Sequence, residues 1–330
     1  MADKDRLQNE KLSGILEDDA LQQDVRKFVG SGFNATGLEV YAQCPFRYLG
    51  EKVWKQSAFQ AAEDVMDPRD EGTLLHNVLA TFIGRHLQEK LTKYPLATLQ
   101  DELSQDFAAA SAALEEKGVQ NLAIWQVEGP RLLQLLQRWL AFEYEDQGEW
   151  QGYTPMAVEW DFSSKNGKPL PLKLTDGSRV TLNGRIDRVD SDGQHVFVTD
   201  YKRSASAAPD KSAMEQHLDL QLPVYMLAAA QMAKPQLPVG GTYFVLKDSA
   251  RKSSFVLSDV NNPGIPCKEE KDWDACKLAW EKMLRDYIEG IYQGKFAVEP
   301  QKCDAYCALK DICRYNVLPK VKEEGDGANE

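Results

Sequence analysis

The hydrophobic pattern of this chain changes its period near Tyr153, and this change limits the folds that the chain can adopt. Before Tyr153, apolar residues recur at helical intervals, as in the stretch 72–87. After it, apolar and polar residues alternate along the stretch 153–162, as in a strand. Helices combined with strand hairpins predict an α/β fold, and a length of 330 residues with 43% hydrophobic residues allows one or two units.

The same patterns locate the other elements of secondary structure. Further helices are predicted at 21–29, 98–117, 130–146, 214–232 and 273–292. Further strands are predicted at 179–190, 195–202, 242–247 and 254–257. Thr36 and Glu39 form a capping box with Thr36 as N-cap, so we expect a helix that starts there and carries Cys44 in its next turns.

The charge of the chain argues against one class of nucleic-acid binder. A formal net charge of −12 does not suit a protein that coats nucleic acid nonspecifically, which needs a basic surface. Cations do cluster near the predicted hairpin, either as a local basic groove or as a solvated strand face: Lys173, Arg179, Arg185, Arg188, Lys202 and Arg203. No stretch approaches the roughly 20 apolar residues of a membrane span. The polar N-terminus is unlike a signal peptide, so we expect a cytoplasmic protein with no membrane partner.

Two acids and a lysine lie close together on the hairpin of residues 179–202. Asp200 and Lys202 share one face of their strand, and pairing across the hairpin can bring Asp187 alongside. Carboxylate oxygens suit Mg²⁺ or Mn²⁺, which polarises a phosphodiester and activates a water molecule. The Tyr201 carbonyl is a candidate further ligand, and Lys202 could orient the water. The alternative interpretation is a surface ladder of ion pairs.

Four other side chains are candidates for the same site. His76 lies at the edge of an apolar helical stripe and could complete the metal shell, more readily for Mn²⁺, or serve packing alone. Gln221 and Tyr225 are spaced i, i+4 and could contact substrate, brace Lys202 or fill the first helical turns. Glu159, on the polar side of the first predicted strand, could support the site from outside the ligand shell or face solvent.

Four of the six cysteines form a pattern typical of metal ligation. Three are close together in CDAYCALKDIC, and the fourth is near the other end of the chain: Cys303, Cys307, Cys313 and Cys44. Four thiolates suit a 4Fe-4S cluster or a zinc ion, and the spacing leaves both open. Cys267 and Cys276 have no partner motif and are treated as ordinary residues.

Six sequence blocks, in order, resemble the C-terminal nuclease domain of AddB-type helicase-nuclease subunits, in the RecB-like branch of the PD-(D/E)XK superfamily. They are LEVYAQCPFRYLGEKVW, GTLLHNVLATF, GRIDRVD, VTDYKRS, QLPVY and the cysteine triple followed by Arg314. One departure is that three residues separate Cys303 from Cys307, where the commoner pattern has two. The helicase-like region expected upstream is also missing, so we expect either a cut-out domain or a free-standing relative.

The resemblance implies a fold and a set of roles. It implies an αβββαβ restriction-endonuclease-like core over 36–316, with a helical insertion at about 84–150, an N-terminal segment at 1–35 and a disordered tail at 317–330. It implies a metal held by His76, Asp187 and Asp200, a catalytic Lys202, and a structural 4Fe-4S cluster that staples the N- and C-terminal segments together.

The function implied is a Mg²⁺- or Mn²⁺-dependent DNA exonuclease that cuts single strands or duplex ends in recombinational repair, with an AddA-type helicase as partner. Two alternatives remain open. One is an enzyme like the CRISPR-associated Fe-S exonucleases, and the other is a noncatalytic module that binds DNA ends within a repair complex. Intact acids and lysine count against the second alternative.

Overall fold

The computed structural model describes most of the chain: residues 14–57, 68–116, 122–145, 152–210, 213, 216–257, 272–301, 303, 307–313 and 315. Contacts divide the chain into two compact units. The first comprises residues 1–30, 37–60 and 286–330, and the second comprises residues 31–36 and 61–285. Among the described helices, none combines the length and apolar content that a membrane span needs.

Helices and strands alternate in an α/β order. The helices of the described part are α1 (Asp19–Val29), α2 (Ala35–Gln43), α3 (Pro45–Tyr48), α4 (Pro68–Arg85), α5 (Leu96–Glu116), α6 (Leu122–Glu145), α7 (Gln221–Met232) and α8 (Trp273–Tyr292), and Leu49–Val53 forms a π-helical turn. The strands are β1 (Gly32–Phe33), β2 (Thr154–Asp161), β3 (Leu170–Lys173), β4 (Arg179–Leu182), β5 (Arg185–Ser191), β6 (His195–Lys202), β7 (Leu237–Val245) and β8 (Ala250–Val256).

The second unit is built on a five-stranded sheet with the order β2-β5-β6-β7-β8. Strands β6 and β7 are parallel, whereas the other neighbours are antiparallel. A parallel pair needs a crossover connection, and α7 supplies it. The order α4, β2, β5, β6, α7, β7 confirms the predicted αβββαβ core. A smaller sheet, β1-β4-β3, accompanies it.

Strand β6 is the central strand, and its composition explains why. Six of its eight residues are buried, which fits a strand covered on both faces. Helices α4, α5 and α6 pack with Tyr201 and Phe244 in one apolar cluster. Helix α7 packs on β6 and β7, and Leu222 to Ala229 are all buried, as expected for a helix that is apolar all round. The acids of β5 and β6 therefore lie in a sheet held between helices.

The first unit brings the two ends of the described chain together. Tyr41 donates a hydrogen bond from its phenol to the Lys295 carbonyl at 2.8 Å, and the Gln301 N–H donates to the Gln43 carbonyl at 2.8 Å. Aromatic rings pack around the same place, because Tyr48 stacks on Phe296 with a centroid distance of 6.4 Å. These contacts hold the segment after α2 beside the segment after α8.

Three predicted boundaries were wrong. The strand predicted over 179–190 is interrupted after Leu182, where Gly184 passes so close to Phe162 that an added Cβ would lie 2.5 Å from the ring. The helix predicted from Met214 begins at Gln221, where the Asp219 carboxylate accepts the first N–H. The third concerns the helix that was predicted to carry Cys44.

Helix α2 begins at Ala35, so Thr36 lies inside it and is not its N-cap. The helix ends at Gln43, and Cys44 lies outside it in an extended conformation, with φ −164° and ψ 107°. Pro45 is the cause, because the residue before a proline is disfavoured in the helical region. The predicted limits of the domain and its insertion stay predictions, and residues 317–330 lie outside the described residues.

Candidate active site

The two predicted acids lie where the β5–β6 ladder ends. Backbone pairing runs from Ser191 and Val196 to Arg188 and Thr199. One position further, Asp187 and Asp200 are opposite each other. There the Tyr201 N–H donates to Asp187 Oδ2 at 2.8 Å, so a side chain takes the place of a ladder partner. Both acids therefore lie on one face of the sheet at the point where the strands separate.

His76 joins this corner from α4. Its Nδ1 lies 3.4 Å from Asp187 Oδ1, and its Nε2 lies 3.0 Å from the Tyr201 carbonyl oxygen. Burial lowers the pKa of His76, but the hydrogen bond and charge of Asp187, with the charges of Asp200 and Glu159, outweigh it and raise the pKa to about 9. In the metal-free protein the imidazolium can thus donate to two oxygens, at the position where a cation would have the same partners.

Glu159 completes the cluster, and the sequence left its role open. One ligand atom from each of His76, Glu159 and Asp187 lies within 4.8 Å of the others. Glu159 is next to Asp187 because β2 pairs with β5, and its backbone has a φ of 46°, which is rare for a residue with a side chain. Its Oε2 accepts a hydrogen bond of 2.6 Å from Arg185. Alternation predicted the polar face, but only the strand order brings Glu159 to the site.

Asp200 is not a member of that cluster and lies deeper. It is 2% exposed, and its Oδ2 lies 2.8 Å from Lys202 Nζ. Burial raises the pKa of its carboxyl; the Lys202 charge lowers it, the Asp187 charge raises it, and the outcome is about 6. Asp200 is therefore a buried acid, close enough to Asp187 and His76 to be affected by their charges.

Lys202 is held by two side chains. Its Nζ contacts Asp200 Oδ2 and donates to Gln221 Oε1 at 2.7 Å. Gln221 is the first residue of α7, so the start of that helix fixes the ammonium. Tyr225, one turn later, is buried and packs edge-on against Phe162 at a centroid distance of 6.1 Å. Of this predicted pair, Gln221 contacts the lysine and Tyr225 packs behind it.

The donor atoms fit a hard divalent cation. An imidazole nitrogen, two carboxylates and a backbone carbonyl are ligands acceptable to Mn²⁺, and the oxygens suit Mg²⁺. Neighbouring ligands of an octahedral ion with bonds of about 2.1 Å lie about 3.0 Å apart. His76 Nε2 and the Tyr201 oxygen are 3.0 Å apart. This corner of the sheet can therefore hold a metal without a large rearrangement of these two groups.

The four predicted cysteine ligands line one cavity in the first unit. Cys44, Cys303, Cys307 and Cys313 surround about 490 Å³ of space, together with apolar and aromatic side chains that include Phe46 and Leu309. All four are free thiols. Burial raises the pKa of the Cys44 and Cys307 thiols, and the nearby Cys313 thiol raises both further. Cys276 is buried elsewhere on α8, and Cys267 lies outside the described residues.

Comparison with known proteins agrees with this geometry. Residues 32–314 match the PD-(D/E)XK nuclease superfamily. Three relatives are each named as an ATP-dependent helicase/deoxyribonuclease subunit of the AddB type. The Moorella thermoacetica protein is 32% identical over 64% of this chain and 19% of its own length. The values are 27%, 90% and 31% for the Clostridium tetani protein, and 23%, 99% and 35% for the Bacillus subtilis protein.

The chain therefore spans 19 to 35% of the length of these three relatives. The resemblance that the sequence blocks predicted is confirmed. Since the matched region takes in most of the chain, including the acids of β5 and β6, this protein belongs to the PD-(D/E)XK nuclease superfamily.

Proposed function

We propose that this chain is a metal-dependent deoxyribonuclease that hydrolyses phosphodiester bonds at DNA ends, as an exonuclease acting on single strands. The observation that carries the proposal is the cluster of His76, Glu159 and Asp187, whose ligand atoms lie within 4.8 Å of one another. A cluster of two acids and an imidazole, with a lysine beside it, is suited to metal-assisted phosphodiester hydrolysis.

In this proposal His76, Asp187, Glu159 and the Tyr201 carbonyl hold Mg²⁺ or Mn²⁺. Asp200 keeps its predicted role as a ligand, because the charges of Asp187 and His76 both act on its carboxyl. The bound ion would polarise the phosphate and lower the pKa of a water molecule. Lys202, oriented by Gln221 and Asp200, directs that water and stabilises the negative charge that develops on the phosphate oxygens. Tyr225 keeps its predicted place in the site by supporting the α7 face that carries Gln221.

We further propose that Cys44, Cys303, Cys307 and Cys313 hold a 4Fe-4S cluster with a structural role. The four thiols face one cavity, which supports ligation, and zinc is the alternative. Brown colour and visible charge-transfer absorption after anaerobic purification would indicate iron. A colourless protein with stoichiometric zinc would indicate the alternative.

The names of the relatives support a proposal about partners. They describe a subunit of an ATP-dependent helicase/deoxyribonuclease. We propose that this chain acts on strands that an AddA-type helicase unwinds from a duplex end during recombinational repair. A pull-down with such a helicase, with and without duplex DNA ends, tests this partner.

Digestion of end-labelled DNA tests the proposed reaction. Single-stranded and duplex substrates, labelled at either end, are incubated with Mg²⁺ or Mn²⁺ over a concentration series, beside an Asp187→Asn variant. A ladder that shortens from one end, only with metal and only in the wild type, is expected. Strand binding without hydrolysis in both metals would favour the noncatalytic module instead.

Glu159→Gln is expected to weaken Mn²⁺ binding by about tenfold or more, because the amide replaces a charged ligand. Calorimetric titration of Mn²⁺ measures the change. Glu145→Gln is the matched control, since Glu145 is exposed at the end of α6. Equal dissociation constants for the wild type and Glu159→Gln would remove Glu159 from the ligand set.

Mn²⁺ is also expected to stabilise the protein. At a free concentration one hundred times Kd, an ion that binds only the folded state contributes about 2.7 kcal/mol. Thermal unfolding in EDTA and in excess Mn²⁺ measures this as a rise in Tm of several degrees. Asp187→Ala should lose the rise, whereas a rise that persists in this variant would place the ion elsewhere.

A further inference from the structure

Tyr201 connects the proposed metal site to the opposite face of the sheet. Its N–H donates to Asp187 and its carbonyl contacts His76, so both of its backbone polar groups belong to the site. Its side chain points to the other face, because successive residues of a strand alternate. There the ring packs edge-on against Trp139 and Phe244, at centroid distances of 6.2 and 6.0 Å. A force on the phenol is therefore transmitted to two groups at the site.

Arg188 holds that phenol. Its Nη1 donates to the Tyr201 oxygen at 3.1 Å and to Glu143 Oε2 at 2.8 Å, and its Nε donates to Asp190 Oδ1 at 2.9 Å. The side chains of Arg188, Glu143 and Asp190 are 11%, 9% and 8% exposed. Arg188 is thus a buried hub and does not belong to a solvated strand face or a basic groove, the two interpretations that the sequence offered for its cation cluster.

The hub also ties the strands to the helical layer. Glu143 lies in the last turn of α6, and its Oε1 is 3.6 Å from Arg251 on β8. The Arg251 guanidinium lies 5.0 Å from the centre of the Phe142 ring. One guanidinium therefore joins α6 to β5 and β6 at the residue next to Asp187. An arginine fork suits this better than a lysine, because it makes several directed hydrogen bonds at once.

We propose that Arg188 is a positioning residue for the metal site, which acts through the Tyr201 phenol to fix the Tyr201 N–H toward Asp187 and the Tyr201 carbonyl toward His76. This inference rests on the proposed metal site. Groups behind the ligands set the orientation of the ligands, and their loss typically costs 10 to 100-fold in metal affinity. Glu143 and Asp190 serve the same purpose, because they hold the guanidinium.

Two variants test the inference with metal binding as the readout. Tyr201→Phe removes only the phenol oxygen, whereas Arg188→Lys keeps the charge and loses the fork. Both are expected to raise the Mn²⁺ dissociation constant about tenfold, measured from free Mn²⁺ by electron paramagnetic resonance. The double variant should be no weaker than the more affected single variant, because both act on one contact. Tyr201→Phe should keep a Tm in EDTA close to that of the wild type.

Arg85→Lys is the matched control. Arg85 makes a two-point contact with Asp106, at 2.6 and 2.5 Å, between α4 and α5. Its loss should lower Tm without changing the Mn²⁺ dissociation constant. Wild-type affinity in both Tyr201→Phe and Arg188→Lys would overturn the inference and leave the metal site intact. A wild-type protein that binds no Mn²⁺ would overturn the metal site, and this inference with it.

Discussion

Asp200→Asn is expected to abolish metal-dependent DNA cleavage, with a fall in kcat of at least about a thousandfold, or about 4 kcal/mol of barrier. Asp200 contacts Lys202 at 2.8 Å and is the proposed deep ligand, so the amide removes a charge from the metal site and leaves the lysine without its acid. Initial rates on end-labelled single strands, at saturating Mg²⁺ and Mn²⁺, measure the loss. Metal-dependent cleavage that survives this substitution would contradict the proposed site.

The same variant is expected to fold normally, which separates chemistry from stability. Burial raises the pKa of Asp200 to about 6, above its unfolded value, so the ionised carboxylate destabilises the metal-free fold. This cost is absent at low pH, grows as the pH rises toward 6, and is fully present above it. Asn cannot ionise, so Tm in EDTA at pH 7 should be unchanged or higher than that of the wild type. A large drop in Tm would show that the loss of activity reports unfolding.

Cys44→Ser is expected to lose the proposed cluster and to destabilise the first unit. Cys44 is the one ligand supplied from the N-terminal side, held extended between α2 and Pro45, and the other three follow α8. A link between such distant residues restricts the unfolded chain, and a loop of more than 100 residues corresponds to about 5 kcal/mol. Iron content, visible absorption and Tm of anaerobically purified protein measure the effect.

Cys276→Ala is the control for that experiment. Cys276 is a buried free thiol on α8 and is not among the residues that line the cysteine cavity. The control should keep the iron and the visible absorption of the wild type. If Cys44→Ser keeps both as well, Cys44 is not a ligand and the structural staple is wrong.

The sequence alone determined the elements whose pattern is continuous and sharply bounded. The strand HVFVTDYK was predicted at 195–202 and forms there, and the helix at 273–292 also has the predicted ends. Alternation put Asp200 and Lys202 on one face, because side-chain direction in a strand follows from local geometry. The ordered sequence blocks identified the superfamily for the same reason, since each is a short local pattern.

Only the tertiary structure decided which distant groups meet. Glu159 reaches His76 and Asp187 because β2 pairs with β5, and Arg188 is buried because Glu143 of α6 and the Tyr201 phenol surround it. Neither fact is visible in a local pattern, since a charged residue on an alternating strand looks the same whether it faces water or a buried acid. Strand order and helix packing bring those partners together, and they depend on contacts between residues far apart in the chain.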